Sequence, residues 1–508
     1  MRFLVVRRSE GSPAWVTWPL VAALLALVTA SLSATILDDP DTLWHIAVGR
    51  WIVTHRQLPM QDMFSWTMPG VPWTAHEWLS ELVFFEAWSV AGFPGIIALV
   101  SLSFALTAAL VTRFFCARLE PLHVVPVSLV FIAVISTHLL ARPHALVWPL
   151  MAAWTALLVV AVEARRTPPW WSLGILLAWV NLHASFTLGL IMASALALEA
   201  ITEAPDREAR LRALRQWSGF GAGCLVAVSI NPNGLGTLGH AVHMMQMKEM
   251  LSLINEWQSA NFHEFQLVLL WIILVLGLGL IGRLRMAPVR GALVLLLFYM
   301  ALKHGRYHST LALASAFLLA TPIGDGLRSL RPASNGHAGP SRLDGLMERL
   351  SGPSRHGAVA GALLLAIGWV IGARGLMRSA PPESIAPAKA VAALGTEGRR
   401  DHLLNGYGFG GYLILRGIPV FIDGRADMYG DPFLRAMADA FTMKTPHAFE
   451  RYLDAHAVNW TLLAARAPAV ELLDHLPSWR RVYGDTIAVV HARREPLATP
   501  SRAGVSRR

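Results

Sequence analysis

Long apolar runs separated by short polar segments make up most of the chain as far as Ala373. A bilayer core about 30 Å thick is crossed by a helix of roughly 20 apolar residues. Runs of that length, or broken pairs of shorter ones, occur near residues 15–37, 92–112, 121–140, 144–162, 169–182, 186–201, 217–230, 265–282, 288–302, 307–324 and 357–373. The pattern predicts a polytopic α-helical membrane protein with about 11 spans.

Two neighbouring runs are too short for simple crossings. Residues 169–182 and 186–201 are joined by the polar sequence NLHAS. Short apolar helices interrupted in this way are typical of tilted or partly inserted segments. Two full crossings or one inserted pair would equally preserve the alternation of the chain across the bilayer.

The pattern changes after the last apolar run. From residue 380 to residue 495, charged and apolar positions are spaced as in a soluble α/β domain. Helices are predicted near residues 386–394 and 447–456. Strands are predicted at residues 411–415, 420–423, 460–464 and 486–491.

These patterns divide the chain into five parts. A membrane domain with large extracytoplasmic loops covers residues 1–325, and a cytoplasmic linker rich in Arg, Gly, Pro and Ser covers residues 326–356. The last transmembrane span is residues 357–379. An extracytoplasmic α/β domain follows at residues 380–495, and residues 496–508 are predicted to be a disordered tail.

Composition and charge support the membrane assignment. The 508 residues are 54% hydrophobic and only 15% charged, which excludes an ordinary soluble domain. The net charge of +10 comes largely from arginines in alternate short loops, so the positive-inside rule explains it and nucleic acid is excluded as a partner. This rule places the N-terminus in the cytoplasm. Cys116 lies near Arg118 at a predicted cytoplasmic end of a span, whereas Cys224 lies inside an apolar run, so no disulfide between them is expected. Two cysteines in these positions also exclude a metal site built from cysteine ligands.

Three acidic residues follow directly on the first apolar run. Asp38, Asp39 and Asp41 lie in the sequence DDPDTLWHIA, where a membrane span meets water. Acidic side chains at a membrane face are costly unless they bind a proton, a metal or a polar substrate, so they are candidate catalytic groups. The alternative for Asp41 is a helix cap.

Further polar residues of the first loop join this set. His45, His76 and Glu77 are candidates because the HE pair next to a membrane is poorly explained by lipid anchoring. Glu77 is included among the candidate catalytic residues. The loop's tryptophans are expected to anchor at the interface rather than to stack on sugars. Residues 42–54 are predicted to form an amphipathic helix along that interface.

Several cations lie on the side of the membrane that otherwise lacks them. Arg142, Lys303 and Arg306 break the charge rule, and an anionic substrate would explain their position. The forked guanidinium donors of the two arginines and the ammonium group of the lysine suit phosphate. Snorkelling to lipid headgroups is the alternative. The remaining candidates on this side, all for substrate binding, are His144, His183 and Glu256.

The α/β domain contains the segment FIDGRADMYGD. Asp423 and Arg425 lie in a glycine-containing turn there and are candidate ligand-binding residues. An internal salt bridge that fixes the turn is an equally good interpretation. If exposed, such a pair would contribute only about 0 to 1 kcal/mol.

The acidic first loop, the many spans and the outer soluble domain together resemble the GT-C superfamily of integral-membrane glycosyltransferases, most closely bacterial family 39-type enzymes. The resemblance implies that Asp38, Asp39 and Asp41 lie near the catalytic centre. It also implies a sugar donor on a polyprenyl phosphate and a glycan, lipid or protein acceptor. The expected location is the bacterial inner membrane, with a role in the cell envelope. A divalent metal such as Mg²⁺ or Mn²⁺, held by carboxylates and histidines, would suit this chemistry.

Two other functions fit the same features. A transporter or flippase of lipid-linked glycans would also need intramembrane cations and interrupted helices. The lack of an evident internal repeat and the concentration of polar clusters on one face speak against it. A non-catalytic envelope assembly component is a further alternative.

Overall fold

The computed structural model describes residues 13–247, 257–330 and 342–497. The fold is predominantly helical, with one small sheet. Up to the last apolar run, the α-helices are Trp18–Ser31, Asp41–His55, Trp78–Ala91, Phe93–Cys116, Pro121–Ser136, Pro143–Glu163, Leu173–Leu182, Phe186–Thr202, Arg207–Ser229, Gly236–Gln246, Val268–Leu280, Pro288–Lys303, His308–Leu318, Ala320–Ser329, Arg342–Ser351 and His356–Gly372. Five shorter or kinked helices follow at Ala388–Ala393, Gly410–Leu415, Ala426–Phe441, Ala448–Ala455 and Pro468–His475.

The chain forms two compact units. Among the described residues, the first contains 13–36, 94–241, 257–330 and 342–379, and the second contains 37–93, 242–247 and 380–497. The first loop thus belongs to the same unit as the C-terminal residues. The second unit is assembled from segments that are far apart in the sequence.

The first unit holds the helices that could cross a membrane. Phe93–Cys116, Pro143–Glu163 and His356–Gly375 are long and apolar enough, and Gly305–Leu318 with Ala320–Ser329 would make a fourth span bent by 66°. Trp170–Leu182 and Phe186–Thr202 are separate short helices, as the NLHAS interruption predicted. These helices support a membrane location.

Two buried arginines of the first unit form ion pairs with glutamates. Arg290 is buried on Pro288–Lys303 and forms a two-pronged contact with Glu199, with Nη2 2.5 Å from Oε1 and Nε 3.0 Å from Oε2. Arg118 donates from Nη2 to Oε2 of Glu163 at 2.9 Å. The forked contact between Arg290 and Glu199 offsets the desolvation of both charges.

A four-stranded sheet forms the centre of the second unit. Its strands are β1 (Leu403–Asn405), β2 (Trp460–Ala464), β3 (Trp479–Gly484) and β4 (Ala488–Arg493), in the order β1-β2-β4-β3. β1 and β2 are parallel, and the other two pairs are antiparallel. The strand predicted at residues 460–464 and, with a shift of two residues, the terminal strand are confirmed.

Two predicted strands are wrong. Residues 411–415 lie in the helix Gly410–Leu415, and residues 420–423 form no strand, since Val420 makes only an isolated bridge to Ser65. Gly410, the first residue of this helix, packs closely against residue 422. A Cβ atom there would lie 2.4 Å from the carbonyl oxygen of Ile422, so only glycine permits the close packing.

The first loop is folded around a buried helix. Leu43 and Ile46 of Asp41–His55 are fully buried, so the expected position along a membrane interface is wrong. Leu43 packs in an apolar cluster with Ile385 and Ala386. Gly49 allows close contact with Trp78–Ala91, because a Cβ atom would lie 2.1 Å from the carbonyl oxygen of Glu81.

Candidate functional site

The three aspartates at the start of the second unit differ in their surroundings. Asp38 is exposed, Asp39 is buried and Asp41 is half-buried. Oδ1 of Asp39 accepts the backbone N–H of Asp41 at 2.8 Å, so Asp39 holds the start of the helix Asp41–His55. Asp41 is the first residue of the helix and Pro40 is its N-cap, so the capping role considered for Asp41 is wrong, and its carboxylate contacts Trp44 instead.

The Asp41 carboxylate contacts the turn that contains FIDGRAD. Oδ1 of Asp41 accepts the indole N–H of Trp44 at 3.0 Å. A Cβ atom at Gly424 would lie 1.8 Å from this oxygen and 2.7 Å from Nε1 of Trp44. Only a glycine therefore fits beside Asp41. Two segments singled out in the sequence, DDPDTLWH and FIDGRAD, form one arrangement.

A second cluster lies along Asp41–His55 and Trp78–Ala91. Nε2 of His45 is 3.7 Å from Oε2 of Glu77, and Nδ1 of His45 is 3.8 Å from Oε1 of Glu81. Nε2 of His76 is 3.9 Å from Oε1 of Glu77. The structure thus brings together the predicted residues His45, His76 and Glu77, and it adds Glu81, which sequence reasoning did not single out.

Glu81 is the most deeply placed acid of this cluster. Its side chain is buried, and burial raises its pKa well above 4.5, with a further increase from the nearby Glu77 and a smaller opposing effect of Arg425. The neutral, protonated form is therefore favoured in the folded protein. Such a carboxyl group can hold a proton next to His45.

Arg425 is at the centre of a buried ion network. Its Nε and Nη2 donate to Oδ1 and Oδ2 of Asp423 at 2.8 and 2.7 Å, and its Nη1 donates to Oδ1 of Asp62 at 2.7 Å. The hydroxyl of Tyr429 donates to Oδ2 of Asp423 at 2.8 Å. Burial, the largest influence, lowers the pKa of Arg425, but Asp423 and Asp62 together raise it, so the charge is retained.

This network supports the internal salt bridge, one of the two interpretations of the FIDGRAD segment, and shows that the pair is buried. Asp423 and Arg425 are 0% and 1% exposed, and each is engaged by the protein itself. Their burial favours the internal salt bridge over direct substrate contact. The FIDGRAD turn is also fixed by Asn405, which donates to the carbonyl of Ile422 at 2.8 Å and accepts the N–H of Phe421 at 2.8 Å.

The tryptophans of the first loop contribute to packing inside the second unit. Trp66 stacks on His402 at 4.4 Å and donates from Nε1 to the carbonyl of Leu403 at 3.0 Å. Trp73 is buried against Arg425 at 4.8 Å. The expected membrane-anchoring role is therefore wrong for these two residues.

The predicted cations and histidines of the first unit lie at the ends of its helices. Arg142 precedes the helix Pro143–Glu163, and the guanidinium of Arg306 lies 4.2 Å over the ring of Trp257. Lys303, the last residue of its helix, lies 5.8 Å from the ring of Tyr299. Glu256 lies outside the described residues.

Four histidines at these helix ends lie within hydrogen-bond or ring-contact distance of neighbouring segments. Nε2 of His144 is 3.2 Å from the carbonyl oxygen of His138, whose own Nε2 is 3.0 Å from the carbonyl oxygen of Gly305. The ring of His144 lies 6.4 Å from that of His183, and the ring of His138 lies 5.5 Å from that of His308. We refer to His138, His144, His183 and His308 as the histidine row. Sequence reasoning selected His144 and His183 and missed the other two.

The first-loop acids were tested as holders of a divalent cation. Carboxylate oxygens are suitable ligands for Mg²⁺ or Mn²⁺. However, within the second unit, the described donors do not include three from the Asp38–Asp41 segment that converge on one point. The buried Asp39 is committed to the helix start. Asp38, Asp39 and Asp41 are therefore assigned no metal-binding role.

Comparisons with known proteins give a likeness in fold. No family model and no curated protein matches the sequence. The apo oligosaccharyltransferase of Archaeoglobus fulgidus matches with a TM-score of 0.54 and 12% identity over 88% of this chain and 69% of that chain. This chain has a GT-C-like fold. The predicted superfamily resemblance is thus confirmed at the level of the fold.

Two further structures match less well. Archaeoglobus fulgidus AglB in complex with an inhibitory peptide and a dolichol-phosphate has a TM-score of 0.49 and 12% identity, over 88% of this chain and 69% of that chain. ArnT from Cupriavidus metallidurans bound to undecaprenyl phosphate has a TM-score of 0.39 and 14% identity, over 95% and 98% of the two chains. These lower scores add nothing to the fold assignment.

Replacement of Arg425 by alanine should destabilise the second unit by about 3 to 5 kcal/mol, because Asp423 and Asp62 would remain as buried, uncompensated charges. Thermal unfolding of the purified protein, followed by protease sensitivity of the C-terminal residues, measures this effect. Arg416→Ala removes an exposed arginine near the same turn and should change stability little. Equal stability of the two variants would contradict the role of the network.

Glu81→Gln should weaken the pH dependence of stability. Because the folded pKa of Glu81 is raised, its contribution to stability is fully present below about pH 4.5 and is lost as the pH rises towards the folded pKa. Glutamine keeps the neutral shape, so the variant should lose less stability than the parent between pH 4.5 and pH 8. Glu86→Gln, on the exposed face of the same helix, is the control. Parallel pH profiles for the parent and Glu81→Gln would refute the assignment.

Proposed function

We propose that this chain is a membrane glycosyltransferase that transfers a sugar from a polyprenyl-phosphate-linked donor to an extracytoplasmic acceptor. The observation that carries the proposal is the GT-C-like fold in combination with the half-buried carboxylate of Asp41. The fold makes glycosyl transfer the reaction class to test first. Asp41 supplies a group of the right chemistry at the position that the superfamily resemblance indicated.

The reaction requires one base and one stabilised leaving group. The Asp41 carboxylate takes the proton from an acceptor hydroxyl, whose oxygen forms a bond to the anomeric carbon of the donor sugar. The bond between that carbon and the phosphate oxygen breaks, and its electron pair leaves with the polyprenyl phosphate. Cations that bind the phosphate stabilise the charge that develops on it.

Three cations of the first unit are proposed for the phosphate. Arg142 stands directly before the first turn of Pro143–Glu163, where the helix N-terminus adds partial positive charge. Arg306 is oriented by its stacking on Trp257. Lys303 is the third, and His144 and His183 of the histidine row are proposed to bind the donor beside these cations.

The other acids have distinct proposed roles. Asp39 positions Asp41 through the backbone hydrogen bond at the helix start, and the exposed Asp38 contacts the acceptor. Glu77, with His45 and His76 on either side, is proposed as a second proton acceptor supported by the protonated Glu81. The C-terminal domain shapes access of the acceptor.

The proposed location is the bacterial inner membrane, with the N-terminus in the cytoplasm and the C-terminal domain outside. Support comes from the arginine distribution in the sequence, which predicts that the acidic first loop and the C-terminal domain share the extracytoplasmic side. Donors on polyprenyl phosphates are presented to acceptors on that side. The cell envelope would supply the acceptor.

Asp41→Asn should express normally and lose transfer activity by roughly a hundredfold or more, because the amide keeps the shape but cannot accept the proton. The assay is sugar release from a radiolabelled polyprenyl-phosphate donor by the purified protein in nanodiscs. Asp439→Asn, which changes an exposed acid paired with Lys444, should retain activity. A parental rate for Asp41→Asn would remove Asp41 from the mechanism. No release by the parent with any donor would favour a flippase or an assembly role.

Gly424→Ala gives an independent measure of the same site. The added methyl group would occupy the position of the Asp41 carboxylate, so activity should fall to a level close to that of Asp41→Asn. Gly408→Ala is the matched control, because a Cβ atom there meets nothing within 4 Å. Full activity of Gly424→Ala would show that the position of the Asp41 carboxylate does not matter.

Arg142→Ala and Arg306→Ala should each weaken binding of the phosphate-bearing donor by about tenfold, through loss of a charge-assisted contact. Lysine at either position should restore only part of the affinity, since an ammonium group cannot form the forked contact. Binding is measured by competition with polyprenyl phosphate. Arg285→Ala, an exposed arginine of the same unit, should bind as the parent does. Unchanged affinity in both test variants would assign the two arginines to the lipid headgroups.

A further inference from the structure

The C-terminal domain contains a basic groove of about 480 Å³ at one end of its sheet. Four arginines and two carboxylates contribute to its lining, which gives a net charge of +2. Its principal residues are Glu397, Arg400, Asp401, Trp460, Arg480 and Arg494. None of these residues belongs to the site around Asp41 described above.

The strand register builds the floor of this groove. Trp460 of β2 and Arg480 of β3 both lie opposite Ala492 of the central strand β4. Residues directly opposite each other point to the same face of a sheet, and neighbouring strands are about 4.8 Å apart. A large aromatic side chain and a guanidinium group therefore flank a methyl group at a separation of roughly 10 Å. This separation is close to the width of one sugar ring with its substituents.

The indole of Trp460 is half-buried and held in place. A Cβ atom at Gly398 would lie 2.9 Å from Cδ2 and Cε3 of the indole, so the backbone at residue 398 packs directly on the ring. The remaining surface of the indole lines the groove. The negative face of an aromatic ring attracts polarised C–H groups, which a pyranose presents on its apolar face.

The arginines of the groove differ in their engagement. Arg493 pairs with Asp454 at 2.6 Å, and Arg494 donates to the carbonyl oxygen of Trp479 at 3.3 Å. Arg400 and Arg480 are exposed, and neither side chain forms an ion pair or hydrogen bond with any residue in the described ranges. Their forked donors remain available to a carboxylate or phosphate.

The acids of the groove are suited to hydroxyl groups. Oδ1 of Asp401 is fixed by Nδ2 of Asn459 at 3.1 Å and by the N–H of His402 at 2.7 Å. A positioned carboxylate accepts hydrogen bonds from sugar hydroxyls. Glu397, one turn earlier in the chain, adds a second acceptor on the lining.

We propose that this groove binds an anionic saccharide, with a sugar ring on Trp460 and its carboxylate or phosphate on Arg400 and Arg480. The aromatic platform selects a ring with an apolar face, and the two available guanidinium groups select a negative charge on it. Binding at the groove involves no bond making or breaking. It stands independently of glycosyl transfer at Asp41, so either proposal can fail without the other.

The test is equilibrium binding of trigalacturonic acid to the full-length protein in nanodiscs of uncharged lipid, measured by calorimetry. Trigalacturonic acid should bind at least tenfold more tightly than the neutral galactotriose. The double variant Arg400→Gln, Arg480→Gln changes only exposed side chains and should lose at least tenfold of this affinity. Trp460→Ala should weaken the binding of both saccharides.

The control is Arg466→Ala, which removes an exposed arginine of the same domain that does not line the groove and should bind as the parent does. Equal affinity for the charged and neutral saccharides would overturn the proposal, as would equal affinity of the double variant and the parent. Inorganic phosphate and vesicles with anionic lipid are further arms. If either of these probes competes as well as trigalacturonic acid does, the groove recognises charge without a sugar ring and the proposal is wrong.

Discussion

The buried charge of Arg425 is the constraint on which the second unit depends. A guanidinium group without water requires partners for its donors, and it receives them from Asp423 in the adjacent turn and from Asp62 in the first loop. Asp62 also accepts hydrogen bonds from Ser65 and from the N–H of Phe64. The polar groups of two distant segments are thus satisfied together. Each segment therefore supplies partners for buried polar groups of the other.

Sequence patterns predicted the elements in which local preference and tertiary packing agree. The apolar runs gave helices, and the short hydrophobic runs around residues 460–464 and 488–493 gave central strands. The spacing of charged and apolar residues predicts a strand at residues 411–415. The segment forms a helix, and its Gly410 and Gly411 pack against the backbone of Ile422 and Pro40, which are contacts that no local pattern reveals. The edge strand β3 was missed because its middle residues are exposed arginines.

The candidate site was predictable to the extent that chemistry alone marks a residue. Asp41, His45 and Glu77 stood out as polar groups next to an apolar run, and the structure places them on or beside one buried helix. Their partners were not visible, because pairings such as Asp62 with Arg425 join residues 363 positions apart. Burial was equally hidden. The sequence around Asp423 and Arg425 is compatible with an exposed turn and with a buried one. Only the fold shows that this pair is buried.

The discontinuous assembly of the second unit has a consequence for biosynthesis. Asp62 leaves the ribosome long before Arg425, which follows 363 residues later. At a synthesis rate of about 5 to 20 residues per second, the delay is roughly 20 to 70 s. During that interval the apolar surface of Asp41–His55 lacks the C-terminal residues that cover it. The apolar side chain of Leu43 therefore gains its partners Ile385 and Ala386 only late in translation, and the first loop completes its packing after most of the chain has been synthesised.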